Sequence, residues 1–158
     1  MRRTFRGEHD CKVDGKGRLV IPSQLRPVIQ NNDPGYDKGG QATIIVVFGG
    51  QRDRNLDCYT VTAADEVQDR IDRLERGSAL RTVMEYDFNT CSDELLMDDT
   101  GRLVLPKSLR ERLKIDDGGQ IVVKGKGDTF QMWHPESYAA HMDKTVGAAR
   151  DALPEGVD

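Results

Sequence analysis

Asp14-Gly-Lys-Gly-Arg18-Leu-Val-Ile-Pro22-Ser-Gln-Leu-Arg26 returns 84 positions later as Asp98-Asp-Thr-Gly-Arg102-Leu-Val-Leu-Pro106-Lys-Ser-Leu-Arg110. Asp, Gly, Arg, Leu, Val, Pro, Leu and Arg match without a gap, and Ile21 is exchanged for Leu105. Self-similarity at a fixed spacing is the signature of a duplicated unit. Leu56-Asp-Cys-Tyr59 aligns in the same way with Phe130-Gln-Met-Trp133, now at an offset of 74. The first half therefore holds about ten extra residues, which Asn31–Gly40 and Gln51–Asn55 can supply. The chain reads as two copies of one module, each too small to be a secure fold alone.

Working outward from the motif, Glu8–Val13 alternates weakly and runs into Asp14-Gly15-Lys16-Gly17, a strong turn signal; Arg18–Ile21 follows as a strand. The pattern predicts a β-hairpin. Pro22-Ser23 opens a helical segment that Pro27 shortens or starts irregularly. Thr43–Phe48 and Asp57–Val61 read as strands. Thr62-Ala-Ala-Asp65 resembles a helix cap before Val67, Ile71 and Leu74, with Gly77 as the stop. Ala79–Phe88 is a second helix passing the chain to the next copy. That copy repeats the order: strand Glu94–Met97, turn Asp98–Gly101, strand Arg102–Leu105, helix Pro106–Lys114, strands Gln120–Lys124 and Thr129–Trp133, and a helix after Pro135. From Lys144 on, Gly, Pro and acidic residues predict a frayed tail. The class is α+β, in two half-barrels, with repeats over 1–78 and 79–143 and a flexible tail over 144–158.

At 158 residues this is one domain, or two half-domains sharing a core. Charged residues are 32% and apolar ones 37%, a thin core for the length. That favours burial against neighbouring subunits, a small highly charged monomer being the other option. No run of 18 apolar residues exists to span a bilayer, and Arg2, Arg3 and Arg6 precede no apolar stretch of a signal peptide. Cys11, Cys58 and Cys91 fit reduced thiols of a cytoplasm rather than a disulfide framework. The net charge of −4 is unevenly spread. Residues 1–26 carry seven Lys/Arg against three Asp/Glu, and residues 98–114 five against three, so the remainder is strongly acidic. Such polarity can steer an anionic partner to one face.

Phe5-Arg-Gly-Glu8, the two spaced Asp-x-x-Gly-Arg-x-x-x-Pro motifs, the linker helix and Trp133-His-Pro-Glu136 fall in order over residues 4–142. Together they resemble the MraZ family of bacterial transcriptional regulators. The resemblance implies two tandem copies of an AbrB/MazE/MraZ-like swapped-hairpin module (a double-split β-barrel), with short helices and a pseudo-two-fold relation. It also implies a homo-oligomeric ring, such as an octamer. The expected partner is double-stranded promoter DNA carrying direct G-rich repeats, upstream of the division and cell-wall gene cluster that the family represses. The family's Asp-x-x-x-Arg signature maps onto Asp14 and Arg18, and onto Asp98 and Arg102. The chain departs from the family in a two-residue N-terminal extension, in the enlarged Asn31–Gly40 loop, and in Asp99-Thr100 where the first motif has Gly15-Lys16.

Each candidate has a plain reading beside the functional one. Arg18 carries a guanidinium whose fork matches guanine O6 and N7, or a phosphate, and a two-stranded ribbon is narrow enough for a major groove. Lys16, Arg2, Arg3 and Lys12 are expected to contact phosphates. The plain reading is that Asp14 and Arg18 are an ion pair that merely holds a turn. For Arg102, flanked by Asp98 and Asp99, subunit contact or turn closure leads over DNA contact. His9-x-Cys11 offers two metal ligands without a second pair, so no metal or cofactor is expected. No nucleophile–base arrangement falls in a catalytic motif, and Gly125-Lys-Gly127 precedes no helix start. Neither an enzyme nor a small-molecule or membrane partner is expected, and the anticipated location is the cytoplasm, at the nucleoid. A protein-interaction scaffold, antitoxin-like and without DNA readout, is the alternative.

Overall fold

The computed structural model describes residues 2–50 and 53–156. Residue 1 of the first repeat, Gln51 and Arg52 of the expected insertion, and the last two residues of the expected tail lie outside them.

The two copies of the motif do not fold side by side. Strands β1 (Glu8–Val13), β3 (Ala42–Val47), β4 (Leu56–Tyr59), β5 (Ser92–Met97), β7 (Gly119–Lys126) and β8 (Thr129–Trp133) form one antiparallel sheet in the order β1-β7-β8-β4-β3-β5. The short strands β2 (Arg18–Val20) and β6 (Arg102–Val104) pair only with each other. Replacing each strand by its counterpart in the other copy reverses the six-strand order and leaves it unchanged. The registers obey the same exchange. Leu19 faces Leu103 in the ribbon, and Asp57 faces Gln131 in the sheet, each residue opposite its own repeat equivalent.

This pairing corrects the hairpin expectation. Asp14 N–H donates to the Arg18 carbonyl and Gly17 N–H to the Asp14 carbonyl, so the tight turn forms as read. Beyond the turn the arms part: β1 takes its ladder from β7, and β2 takes its ladder from β6 of the other copy. Both apolar rows of these arms are buried this way. Val13, Leu19, Ile21, Leu25, Met97, Leu103, Leu105 and Leu109 all join one core with Phe130 and Met132. Burial of those rows stabilises the observed pairing by ~25 cal/mol per Å² of apolar surface.

The helices hold the outside. α1 (Arg26–Asn31) begins at Arg26 and not at Pro22, because Pro27, which has no N–H to donate, is tolerated only in a first turn. α4 (Lys107–Arg112) begins after Pro106. α2 (Val61–Asp72) is capped by Thr60, whose hydroxyl accepts from Ala63 N–H, and not by Thr62. Thr62 instead donates its hydroxyl to the Asn32 carbonyl. α2 ends before the predicted stop, with Arg73 as its C-cap. α3 (Ala79–Glu85) is capped by Ser78 and widens into a π-turn over Tyr86–Thr90. Ile71, Ala64 and Phe88 pack with Val47 as a second apolar cluster under these two helices. Buried Arg81 bonds the Leu74 carbonyl at 2.8 Å, fixing the α2–α3 corner. α5 (Pro135–His141) lies near Trp133, and the chain stays helical through a π-turn, Met142–Gly147, and α6 (Ala148–Asp151). Helix thus extends past Lys144, where a frayed tail was expected. No helix among the described residues is long and apolar enough to cross a membrane.

Candidate nucleic-acid interface

The turn at residues 14–18 is built by one carboxylate. Asp14 Oδ1 accepts from the Lys16 and Arg18 amides, both at 2.9 Å, and Oδ2 accepts from Arg18 Nε at 2.6 Å. The Arg18 amide and then its side chain hold the Asp14 carboxyl well below its ordinary value, at about 2. The second turn keeps the first half of this pattern: Asp98 Oδ1 accepts from the Thr100 and Arg102 amides at 2.9 Å. The Thr100 hydroxyl adds a third bond to the same Oδ1, at 2.8 Å, and Oδ2 has no counterpart of the Arg18 Nε bond among the described residues. The Arg102 amide and that hydroxyl likewise lower the Asp98 carboxyl. Thr100, rather than the Arg102 side chain, closes the second turn. The Arg102 guanidinium makes no hydrogen bond or ion pair within the described residues, a correction to the turn-closure reading.

Glycine is required at the turn ends. Gly17 and Gly101 both have φ +85°, and a methyl group on Gly17 would overlap the Leu105 carbonyl oxygen and Arg110. On Gly101 it would overlap Arg26. The close approach is a cross-copy lock: Leu105 N–H donates to the Gly17 carbonyl and Ile21 N–H to the Gly101 carbonyl, both at 2.8 Å. Arg26 Nε bonds the Ile21 carbonyl at 2.8 Å, and an Arg110 terminal nitrogen bonds the Leu105 carbonyl at 2.7 Å. These two arginines recur in both motifs, yet they buttress the opposite copy's turn.

The ribbon displays what the turns position. Arg18 faces Val104 and Val20 faces Arg102, so all four side chains share one face, opposite the buried Leu19 and Leu103. All four are exposed, the Arg18 side chain by 64%. Asp14 bonds Arg18 through Nε, and neither terminal nitrogen makes a hydrogen bond among the described residues. The ion pair of the plain reading is present, and it holds the Arg18 side chain at Nε.

An open groove runs between the ribbon and the edge strands β1 and β5, lined among others by Lys12, Arg18, Arg102, Asp14 and Asp98. These five predicted site residues are thus brought together, with Lys16 exposed at the first turn tip. Asp10 and Glu94, equivalent positions on the two edges, also line it. Their charges disfavour an anion inside the groove. Two predicted residues lie apart. Arg3 is ion-paired with Glu66 of α2 at 2.7 Å, and Arg2 lines a neighbouring groove with Arg6 and His9. Val20 and Val104 went unread in the sequence, because alternation marks strand residues without telling which row meets solvent.

Comparison with known proteins identifies the family. The family profile described as "MraZ protein, putative antitoxin-like" matches residues 91–152. The chain is 40% identical over 158 residues to the transcriptional regulator MraZ of Ruegeria pomeroyi, covering all of this chain and 93% of that protein. The same identity and coverage hold for the MraZ regulator of Ruegeria sp. strain TM1040. The MraZ regulator of Parvibaculum lavamentivorans is 31% identical over 153 residues, 95% of this chain and 89% of that one. The chain belongs to the MraZ family of transcriptional regulators.

Proposed function

We propose that this regulator is a sequence-specific DNA-binding repressor that acts as an assembly. It binds direct G-rich repeats upstream of its own operon, in the division and cell-wall gene cluster, and works in the cytoplasm at the nucleoid. The observation that carries the reading is the shared exposed face of Arg18 and Arg102 on a two-stranded ribbon. A ribbon of this width fits a major groove, and an outward guanidinium fork suits guanine O6 and N7. Lys16 and Lys12 supply phosphate contacts that fix register without reading sequence.

The fold is read here as two swapped-hairpin modules, residues 1–78 and 79–143, related by a pseudo-two-fold axis through the Leu19–Leu103 and Asp57–Gln131 pairs. One ribbon touching a few base pairs binds weakly, so affinity comes from several subunits, arranged as a closed ring. Leu80, Val83 and Tyr86, each more than half exposed along α3 and its π-turn, support contact with a neighbouring protein surface. Arg18→Ala tests the whole: gel shifts should lose the specific complex while mass measurement finds the assembly unchanged. Undiminished operator binding by that variant would refute the assignment.

A further inference from the structure

Each arginine of the ribbon has a valine directly across from it. Val20 is 49% and Val104 54% exposed, although each is an aliphatic strand residue beside a well-filled core. Antiparallel register sets Arg18 opposite Val104 and Arg102 opposite Val20. Directly opposed side chains stand about 5 Å apart and diagonal ones about 7–8 Å. The face is thus a small quadrilateral of side-chain origins, with arginines rooted at two diagonal corners and valines at the other two. Stacked bases are spaced about 3.4 Å along a strand, so one valine and its arginine neighbour fall within about two base steps.

The chemistry of those corners differs. A guanidinium suits guanine acceptors, whereas an apolar group in the major groove suits the C5-methyl of thymine and has no use for the other bases. We infer that Val20 and Val104 are specificity-determining residues that read thymine methyl groups. They do so within two steps of the guanines addressed by Arg102 and Arg18, on either side of the Leu19–Leu103 pair. The inference rests on the DNA reading proposed above and adds to it a second recognised base and the residues that recognise it. It also assigns a role to Arg102, the repeat equivalent of Arg18, whose guanidinium has no hydrogen bond or ion pair among the described residues.

The test uses the full-length protein and a duplex it enriches from a randomised double-stranded library. Each thymine of that duplex is replaced in turn by deoxyuridine, which removes only the methyl group. Wild-type protein should lose about fourfold in affinity at one or more thymines near a guanine, the worth of one buried methyl-sized group. Val20→Ala and Val104→Ala should bind the thymine and uracil duplexes equally at those positions. The inference is overturned if wild-type protein binds its enriched duplex but ignores every uracil. It is equally overturned if both valine variants keep the full thymine-to-uracil ratio; a changed assembly mass in that case would assign the valines to subunit contact. Failure to enrich any sequence would overturn the DNA reading itself, and this inference with it.

Discussion

At Gly17 two demands coincide. The residue sits at φ +85°, and its α-carbon faces the Leu105 carbonyl of the other copy. A left-handed conformation costs an L-residue about 1–2 kcal/mol. The overlap adds to that, since a backbone carbonyl cannot swing away as a long side chain can. Gly17→Ala should therefore lower stability by roughly 2 kcal/mol or more, read as a shift in the urea midpoint. Gly127→Ala is the control, because it has φ +67° with nothing within 4 Å of the added methyl; it should show the conformational cost alone. Equal losses for the two would remove the cross-copy lock from the account. Lys16 makes a different case. Its backbone amide serves the Asp14 turn while its side chain stays exposed, so Lys16→Ala should weaken binding to all sequences alike. The slope of log affinity against log salt should fall by about one, and an unchanged slope would deny it a phosphate.

Between residues and elements, the legible and the hidden divide along a physical line. The turn at Asp14–Arg18, its glycine and the order of strands were readable because each is set by nearby chemistry, whereas the first helix was placed from Pro22 and begins only at Arg26. The partner of β2 was not readable, because pairing Leu19 with Leu103 is decided by which arrangement buries both apolar rows. The cap of α2 was misread for a related reason: Thr60 and Thr62 are both plausible caps, and the Asn32 carbonyl decides by taking the Thr62 hydroxyl. The α5 element likewise owes its place to tertiary contacts. The His141 ring stacks on Trp133 at 4.5 Å between centroids, and the Tyr138 hydroxyl bonds Glu8 of β1. Burial first, then Lys124 and Lys126, push His141 below its ordinary value of 6.5, partly opposed by Asp53 at 3.7 Å. A histidine depressed in the folded state adds stability above 6.5, and that contribution is lost as pH falls from there through the folded value. Fluorescence of Trp133, the only tryptophan, should thus report loosening of α5 as pH drops from 7 to 5. His141→Gln should flatten that response; a curve identical to wild type would place the titration elsewhere.

For the whole molecule, the question is how a chain of net charge −4 holds DNA. Positive charge concentrates in the two motifs, and on the proposed DNA reading Asp10 and Glu94 at the groove edges would confine phosphates to its rim. One subunit therefore offers a small footprint, and affinity has to be multiplied by linking subunits, which can raise avidity by ~10²–10⁴ without new contacts. A head-to-tail ring repeats the ribbon in one direction, so it matches direct repeats rather than a palindrome. Ribbons meeting one face of a duplex need repeats about 10 bp apart, one helical turn. Because the proposed ring would curve away from a straight duplex, engagement would bend the DNA or open the ring, and bending by tens of degrees costs about 1–6 kcal/mol. Inserting about 5 bp between two repeats turns the second to the far side of the helix, and about 10 bp returns it to the same side. Gel shifts on such a spacing series should show binding lost at the half-turn insertion and partly regained at the full turn. Binding that ignores helical phase would mean that the ribbons engage their sites independently, and the assembly would then have no part in operator recognition.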